Sequence, residues 1–336
     1  WDSTSPIALR VFSRQRCPDA EWVRQRVQDA WRNREPLRNA GVTGYRWLFG
    51  EGDGLPGLTA DLYDRHVVIV TYADALDTLV PWVVDAMREL TDLEGILLKD
   101  ARERDGGERL SVLWGEAPTR PLVVDEYGVK LSVDLLQGQK TGLFLDHREN
   151  RHHLGAWAKG RSVLNLFSYT GGFSVHAARG GATEVTSVDI ASGAMASARH
   201  NFRLNGLDDA AHQFEVADVF EYLAAAPESR WDLVISDPPS FARSRAQLET
   251  ARAAYVKLHA AATRVVRPGG LLAAASCTAQ MDPTSFQATL AEGARKVRRR
   301  LQILYEVGQP LDHPVMAQHP EGRYLKFVLA RVLESN

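Results

Sequence analysis

The chain has 336 residues, 45% of them hydrophobic and 24% charged, with a formal net charge of −2. That size accommodates two domains with stable cores, and the composition excludes a disordered or fibrous chain. The near-neutral balance excludes a global basic field, so any nucleic-acid contact has to come from local patches.

At the start, "SPIALRVFSR" reads as a last strand, about Ile7 to Ser13, whose partners lie upstream, so residues before Trp1 are expected. Asp19 to Asn33 has helical apolar spacing (Trp22, Val23, Val27, Ala30, Trp31) behind an Asp cap. "GEGDGLPGLTADLYDRHVVIVTY" predicts a Gly/Pro turn, a short strand, a second turn and a β-branched strand. "LDTLVPWVVDAMREL" predicts a helix and "GILLKDA" a strand, so residues from about 45 to 121 form a small α/β unit, with Pro118 and Pro121 in a linker. From Val123 short apolar strands alternate with helices: "SVLNLF", a helix from Gly172, "EVTSVDI", a helix from Ser192, "QFEVAD", a helix near Val219, "WDLVISD", a helix from about Ala246 to Val266, "GLLAAASC" and a helix from Pro283. That rhythm predicts an α/β fold with a mostly parallel sheet and helices on both faces. "RLQILYEVG" and "RYLKFVLARVL" close it as a hairpin that adds one antiparallel strand. No apolar run approaches the roughly 18 residues of a membrane span, and no signal-peptide pattern opens the chain. Cys17 and Cys277 stand far apart, which argues against a disulfide framework and for a reducing, cytoplasmic location.

The first strand after the linker runs into "NLFSYTGGFSVHAA", where Gly171 and Gly172 let a ligand approach backbone N–H groups at a helix start. A plain tight turn explains these two glycines equally well. Asp189 ends the second strand, Asp218 the third and Asp237 the fourth. In an open parallel sheet ligands bind beyond the carboxyl ends of the strands. Each acid alone reads as a cap, but three on one rim favour a nucleoside site: Asp189 for the ribose hydroxyls, Asp218 for an adenine amino group. The turn lacks the G-x-G-x-x-G pyrophosphate fingerprint and the chain has no G-x-x-x-x-G-K-[ST] loop. S-adenosylmethionine, with adenosine but no phosphate, fits best.

"NLFSYTGGFSVHAARGGATEVTSVDIASGAMASARHNFRLNG" resembles the cofactor half of class I methyltransferases. With "GEGDGLPGLTADLY", "QGQKTGLFLDHRENR", "SDPPSF", "SCT" and "DHPVMAQHPEGRYLK", nearly the whole chain resembles bacterial large-subunit ribosomal RNA cytosine-C5 methyltransferases that carry an N-terminal PUA domain. The resemblance implies a Rossmann-like class I methyltransferase domain at 123–336, a central α/β domain with a leading helix at 15–122, and a PUA remnant at 1–14. It implies cofactor contacts from Phe144, Asp146 and Arg148, from Asn165, Ser168, Tyr169, Thr170 and Gly171, and from Asp189, Ile190, Asp218, Val219, Asp237 and Pro238. The segment from 137 to 150 also reads as an ordinary hairpin with an Asp–Arg surface pair.

Cys277, at the end of the fifth strand in "AAASCTAQM", reads either as a buried structural thiol or as a nucleophile on the rim beside Asp237. A thiolate adding to C6 of cytosine makes C5 nucleophilic toward a methyl sulfonium. "SDPPSF" has no second cysteine, so the base that removes the C5 proton stays open. Asp237-Pro238-Pro239 is expected to floor a flipped-out base, with Pro239 and Phe241 as substrate contacts. Such a motif also holds exocyclic amines in other families. A guanine-nitrogen methyltransferase of this fold, and a non-catalytic RNA-binding assembly factor, therefore remain as rivals.

"RKVRRR", Arg295 to Arg300, is either the solvated end of a helix or a phosphate contact, and the seven arginines between Arg14 and Arg38 are a second candidate. His313 and His319 lack cysteine neighbours and stand beside prolines, so no metal is expected. The expected partner is large-subunit rRNA, with no membrane, and a homodimer is left open.

Overall fold

A computed structural model describes residues 10–13, 17–100, 110–136, 142–207, 210–242 and 244–334. The chain folds into two compact units, Trp1–Asp146 with Pro310–Gly322, and His147–Gln309 with Arg323–Asn336.

In the first unit α1 (Ala20–Asn33) starts where Asp19 Oδ1 accepts the Trp22 N–H at 2.8 Å, and it buries Trp22, Val23, Val27 and Ala30 on one face. The short α2 (Glu35–Asn39) follows. Strands β1 (Gly44–Phe49), β2 (Leu58–Tyr63) and β3 (His66–Thr71) pair antiparallel. Helix α3 (Val80–Leu90) then crosses to β4 (Gly95–Asp100), which runs parallel to β3, and β5 (Leu110–Gly115) pairs antiparallel at the edge. The hairpin of β6 (Leu122–Glu126) and β7 (Val129–Val133) joins this unit, because Thr43 N donates to Asp125 O and Asp125 N to Thr43 Oγ1. The compact units thus divide at 146/147, whereas sequence alone places a boundary at 122/123. Arg34 is fully buried with Asp53, at 2.7 and 2.6 Å, and also donates to Arg46 O and Asp312 O, so its charge is paired and its donors are used.

The second unit opens with α4 (Arg148–Trp157) and alternates β8 (Ser162–Leu166), α5 (Gly172–Arg179), β9 (Glu184–Asp189), α6 (Ser192–Leu204), β10 (His212–Val216), α7 (Val219–Ala225), β11 (Trp231–Ser236), α8 (Leu248–Val265), β12 (Val266–Ser276) and α9 (Pro283–Lys296). The closing hairpin is β13 (Arg299–Val307) and β14 (Lys326–Glu334). These strands form one seven-stranded sheet in the order β10-β9-β8-β11-β12-β14-β13. β10 through β12 pair in parallel and β14 lies antiparallel between β12 and β13, as the alternation and the closing hairpin predict. β8 is buried at every position, which is why it reads as an apolar run without alternation. The strand order reverses between β8 and β11, which creates a crevice at their carboxyl ends.

Several elements escape sequence reading. β1, β6 and β7 are short. α4 buries Arg148, Asn150, Arg151, Leu154 and Gly155, so its inward face is mostly polar and gives no apolar period. Of the strand expected at Ile7 to Ser13, residues 10–13 carry no strand and residues 7–9 lie outside the described residues. Among the described residues no helix is long and apolar enough to cross a membrane.

Candidate active site

The turn after β8 is the most constrained backbone in the second unit. Phe167 and Tyr169 hold φ of 55° and 48°, values that are costly for side chains with a Cβ, and Gly171 holds 77°. A Cβ on Gly171 would stand 2.9 Å from the Ala198 Cβ. Several hydrogen bonds over-determine the turn: Ser168 N donates to Val188 O (3.0 Å), Tyr169 N to Asp189 Oδ2 (2.9 Å), Gly171 N to Ser168 O (2.8 Å) and Asn201 Nδ2 to Thr170 O (2.8 Å). Asp189 therefore shapes the turn while standing at the end of β9, where its Oδ1 also accepts from Ala191 N. Ile190 beside it is 71% exposed, an isolated apolar surface at the rim.

Asp218 caps α7, its Oδ1 accepting from Phe220 N and Glu221 N, and no described residue bonds its Oδ2. The capping reading of this acid is thus structurally present, and one oxygen is left for a ligand. Val219 behind it is buried. Asn165 is buried lower in β8, donating to Ser174 Oγ, which meets Ser187 Oγ at 2.7 Å. Ser168 Oγ lies 3.9 Å from Met195 Sδ.

Across the crevice β11 ends at Asp237, Pro238 is buried and Pro239 exposed. Asp237 Oδ1 lies 3.3 Å from Nε2 of His147. Asn150 Nδ2 meets His147 Nδ1 at 3.1 Å. An amide nitrogen can only donate, so Nδ1 accepts and Nε2 carries the hydrogen that His147 donates to Asp237. Phe173 and Phe327 wall the imidazole at 5.5 and 6.2 Å.

Cys277 follows β12, is half-buried and forms no disulfide among the described residues. Its neighbours are tied down: the Tyr255 hydroxyl meets Ser276 Oγ and Thr278 Oγ1, each at 2.9 Å. Thr278 Oγ1 in turn meets Ser240 Oγ at 3.1 Å, and Ser240 Oγ donates to Ala242 O. That chain links the S-C-T strand end to the D-P-P-S loop. Burial pushes the Tyr255 phenol above its ordinary value against the hydrogen bonds of Ser276 and Thr278, with the charges of Cys277 and Asp237 adding in the same direction. Lys326, on β14 in register with Ser276, donates from Nζ to Thr278 O (2.6 Å) and Tyr324 O (2.8 Å). Burial brings its ammonium down to about 8, opposed by the charges of Cys277 and Asp282.

Phe241 is half-buried and packs on Tyr255, centroids 4.8 Å apart, so much of its ring belongs to the core. Arg148 is wholly buried at the start of α4 beside Glu149 Oε1 (3.1 Å), not part of a surface pair. Phe144 and Asp146 belong to the first unit, and residues 137–141 lie outside the described residues. Sequence reading passes over His147, Asn150, Tyr255 and Lys326. His147 and Asn150 were visible only as polar letters in "DHREN", and Lys326 as an ordinary lysine in a strand.

The basic runs divide. Arg295 and Lys296 finish α9, Arg298 sits in the turn at φ 54°, and Arg299 opens β13 paired with Glu334. In the earlier run Arg24, Arg26, Arg32 and Arg34 are engaged by Glu21, Asp29 and Asp53, and Arg38 lies over Trp31. Arg14 and Arg16 lie outside the described residues. His313 pairs with Asp312 and packs on Phe49, and His319 lies near Glu321. Among the described residues no group of three His, Cys, Asp or Glu could hold a metal ion.

A sheet wound in this order, with a strained glycine turn and acids on one rim, defines a class I methyltransferase. The description "S-adenosylmethionine-dependent methyltransferase" matches residues 94–320. The chain is 38% identical over 340 residues to the ribosomal RNA large subunit methyltransferase I of Aeromonas salmonicida, covering 98% of this chain and 86% of the relative. It is 30% identical to SMU.776, a methyltransferase crystallised with S-adenosylhomocysteine, at a TM-score of 0.85 over 95% of this chain and 83% of that one. A SAM-dependent methyltransferase from Streptococcus mutans is likewise 30% identical, with a TM-score of 0.84 and the same coverage. This chain belongs to the S-adenosylmethionine-dependent methyltransferase family.

The residues fit that cofactor. Gly171 gives the turn its φ of 77° and its close approach to Ala198, Ile190 offers an exposed apolar face, and Asp218 keeps one oxygen unbonded by any described residue.

Proposed function

We propose that this chain methylates C5 of a cytosine in large-subunit ribosomal RNA, with Cys277 as the covalent nucleophile. The observation that carries the reading is the tethering of Ser276 and Thr278, which flank the half-buried Cys277, to Tyr255 and to Ser240, the residue after Asp237-Pro238-Pro239. The ribosomal RNA assignment rests on the similarity to the 38% identical ribosomal RNA large subunit methyltransferase I.

In this reading Asp189 accepts from the ribose hydroxyls, Asp218 Oδ2 from the adenine amine, and Ile190 and Val219 flank the base. Tyr169, Thr170 and Gly171 present the turn, Asn165 and Ser168 support it from below, and Pro238 lines the floor. The family resemblance assigns Phe144, Asp146 and Arg148 to the methionine end. S-adenosylmethionine held there supplies the electrophilic methyl group that C5 takes up. Asp237, oriented by His147, accepts from the cytosine amino group, while Pro239 and the exposed part of Phe241 meet the ring. The Cys277 thiolate adds to C6 and leaves again when the C5 proton is lost. A three-part organisation in the order PUA remnant, central domain and catalytic domain belongs to the same proposal, with the sequence boundary at 122/123 replaced by the division of the compact units at 146/147.

The test is a denaturing gel with unmodified large-subunit rRNA fragments carrying 5-fluorocytosine. Fluorine cannot leave as a cation, so the adduct on C6 is trapped. A shifted band with the parent and none with Cys277→Ala supports the reading. Mass spectrometry finding the methyl group on a guanine, undiminished by Cys277→Ala, would overturn it.

A further inference from the structure

Lys326 is 3% exposed, yet it carries an ionisable head into the interior of the second unit. Lysines are almost never buried without a partner of opposite charge. Its two acceptors among the described residues, Thr278 O and Tyr324 O, are neutral carbonyls, and neither cancels a unit charge. The antiparallel register sets Lys326 opposite Ser276, and its bond to Thr278 O spans the residue on the other side of Cys277. The ammonium is thus fastened across the backbone that carries the thiol, where a thiolate at Cys277 would favour the charged lysine more than Asp282 does.

We propose that Lys326 is the activating partner of Cys277: its neutral amine takes the proton from Sγ, and the resulting ammonium holds the thiolate ready for attack. One S–H bond breaks, one N–H bond forms, and the ion pair has the net charge of the neutral pair. When the pyrimidine releases the thiolate at the end of the cycle the same ion pair is restored. This deepens the covalent reading above and rests on it for its catalytic meaning. The thiol's acidity can nonetheless be measured without any methyl transfer.

The titratable groups coupled to this pair are Tyr255 from α8, itself acted on by Asp237 from the end of β11, and Asp282 at the start of α9. Burial keeps Tyr255 a neutral phenol at physiological pH, and the two aspartates oppose thiolate formation. Among these groups Lys326 is the one cation.

The experiment is iodoacetamide alkylation of Cys277 between pH 5.5 and 9.5 in a Cys17→Ser background, followed by mass spectrometry of the peptide. Parent, Lys326→Met and Lys326→Arg are compared, with thermal melts as the check on folding. A tenfold gain in thiolate is partly offset by the lower nucleophilicity of a more acidic thiol, leaving about threefold faster alkylation. The parent should alkylate at least about threefold faster than Lys326→Met at pH 7, with its half-maximal pH lower. Lys326→Arg should retain the acid-shifted profile, because its cation is permanent. Coincident profiles of parent and Lys326→Met overturn the proposal. Where Lys326→Met does not fold, an ordinary thiol profile in a folded Lys326→Arg overturns it equally. If Cys277→Ala keeps full methyl transfer while the alkylation profiles separate as expected, the covalent function fails and the Lys326–Cys277 pairing stands.

Discussion

His259 offers a sharp test of the second unit's electrostatics. It is fully buried on α8, packed between Tyr255 and Phe286 at ring separations of 5.8 and 5.3 Å. Thr289 Oγ1 donates to Phe286 O at 2.7 Å and meets His259 Nδ1 at 3.2 Å, so Nδ1 carries the hydrogen. Burial pushes the imidazole down to about 3, only partly opposed by a hydrogen bond with the Thr289 backbone. In the unfolded chain the imidazole titrates near ~6.5. The folded value is depressed, so the unfolded chain takes up the proton first as pH falls. The stability contribution is complete above the unfolded value and is lost progressively from about 6.5 down to about 3. At pH 5 this amounts to about 2 kcal/mol, and at pH 4 to about 3 kcal/mol. The pH 5 figure hardly depends on the folded value, since the folded imidazole is neutral there. Pulse proteolysis in urea, with second-unit fragments quantified by mass spectrometry, reads this unit apart from the first. His259→Asn keeps a donor for Thr289 and removes the titration. Between pH 8 and 5 the parent should lose about 2 kcal/mol more than this variant, whatever the variant's starting stability. Parallel curves for the two proteins would refute the argument.

Three further outcomes follow from the site. Gly171→Ala forces a Cβ into φ 77° and against Ala198, so S-adenosylhomocysteine affinity by calorimetry should fall at least about tenfold, with a stability loss of about 1–2 kcal/mol. Unchanged affinity would remove the turn from the cofactor site. Asn150→Leu frees the His147 tautomer that donates to Asp237. Methyl transfer should drop about tenfold in kcat while S-adenosylhomocysteine affinity holds, and a matching loss of affinity would instead mean a disturbed fold. Thr278→Val cuts the link between Tyr255 and Ser240 and should lower transfer rates by about tenfold through slack in the target-base floor, measured as kcat against KM on an rRNA fragment. A variant with parental kcat and KM would show that the link has no positioning role.

The parallel core was legible because its physics is local. β8, β9, β11 and β12 are apolar runs bounded by turns, and the helices between them carry an ordinary apolar period. Strand-end acids could be read for the same reason: once a strand's end is known, Asp189, Asp218 and Asp237 fall on its carboxyl edge. α4 was not legible, because Arg148, Asn150 and Arg151 are buried by tertiary contacts that no period announces. The β6–β7 hairpin looked like the start of the second unit until its hydrogen bonds to Thr43 attached it to the first.

By itself the sequence determined the alternation of strand and helix, the glycine turn, and the rim on which acids and Cys277 fall, since each follows from side-chain chemistry within a few residues. Only the tertiary structure decided what those groups lean on. It brings Lys326 from β14 alongside the residues next to Cys277, and it turns His147 and Asn150 inward to fix Asp237. It also spends one oxygen of Asp218 on a helix cap. Strand order and burial come from packing between residues far apart in the chain, and they set which polar groups lose water and which partner each then takes.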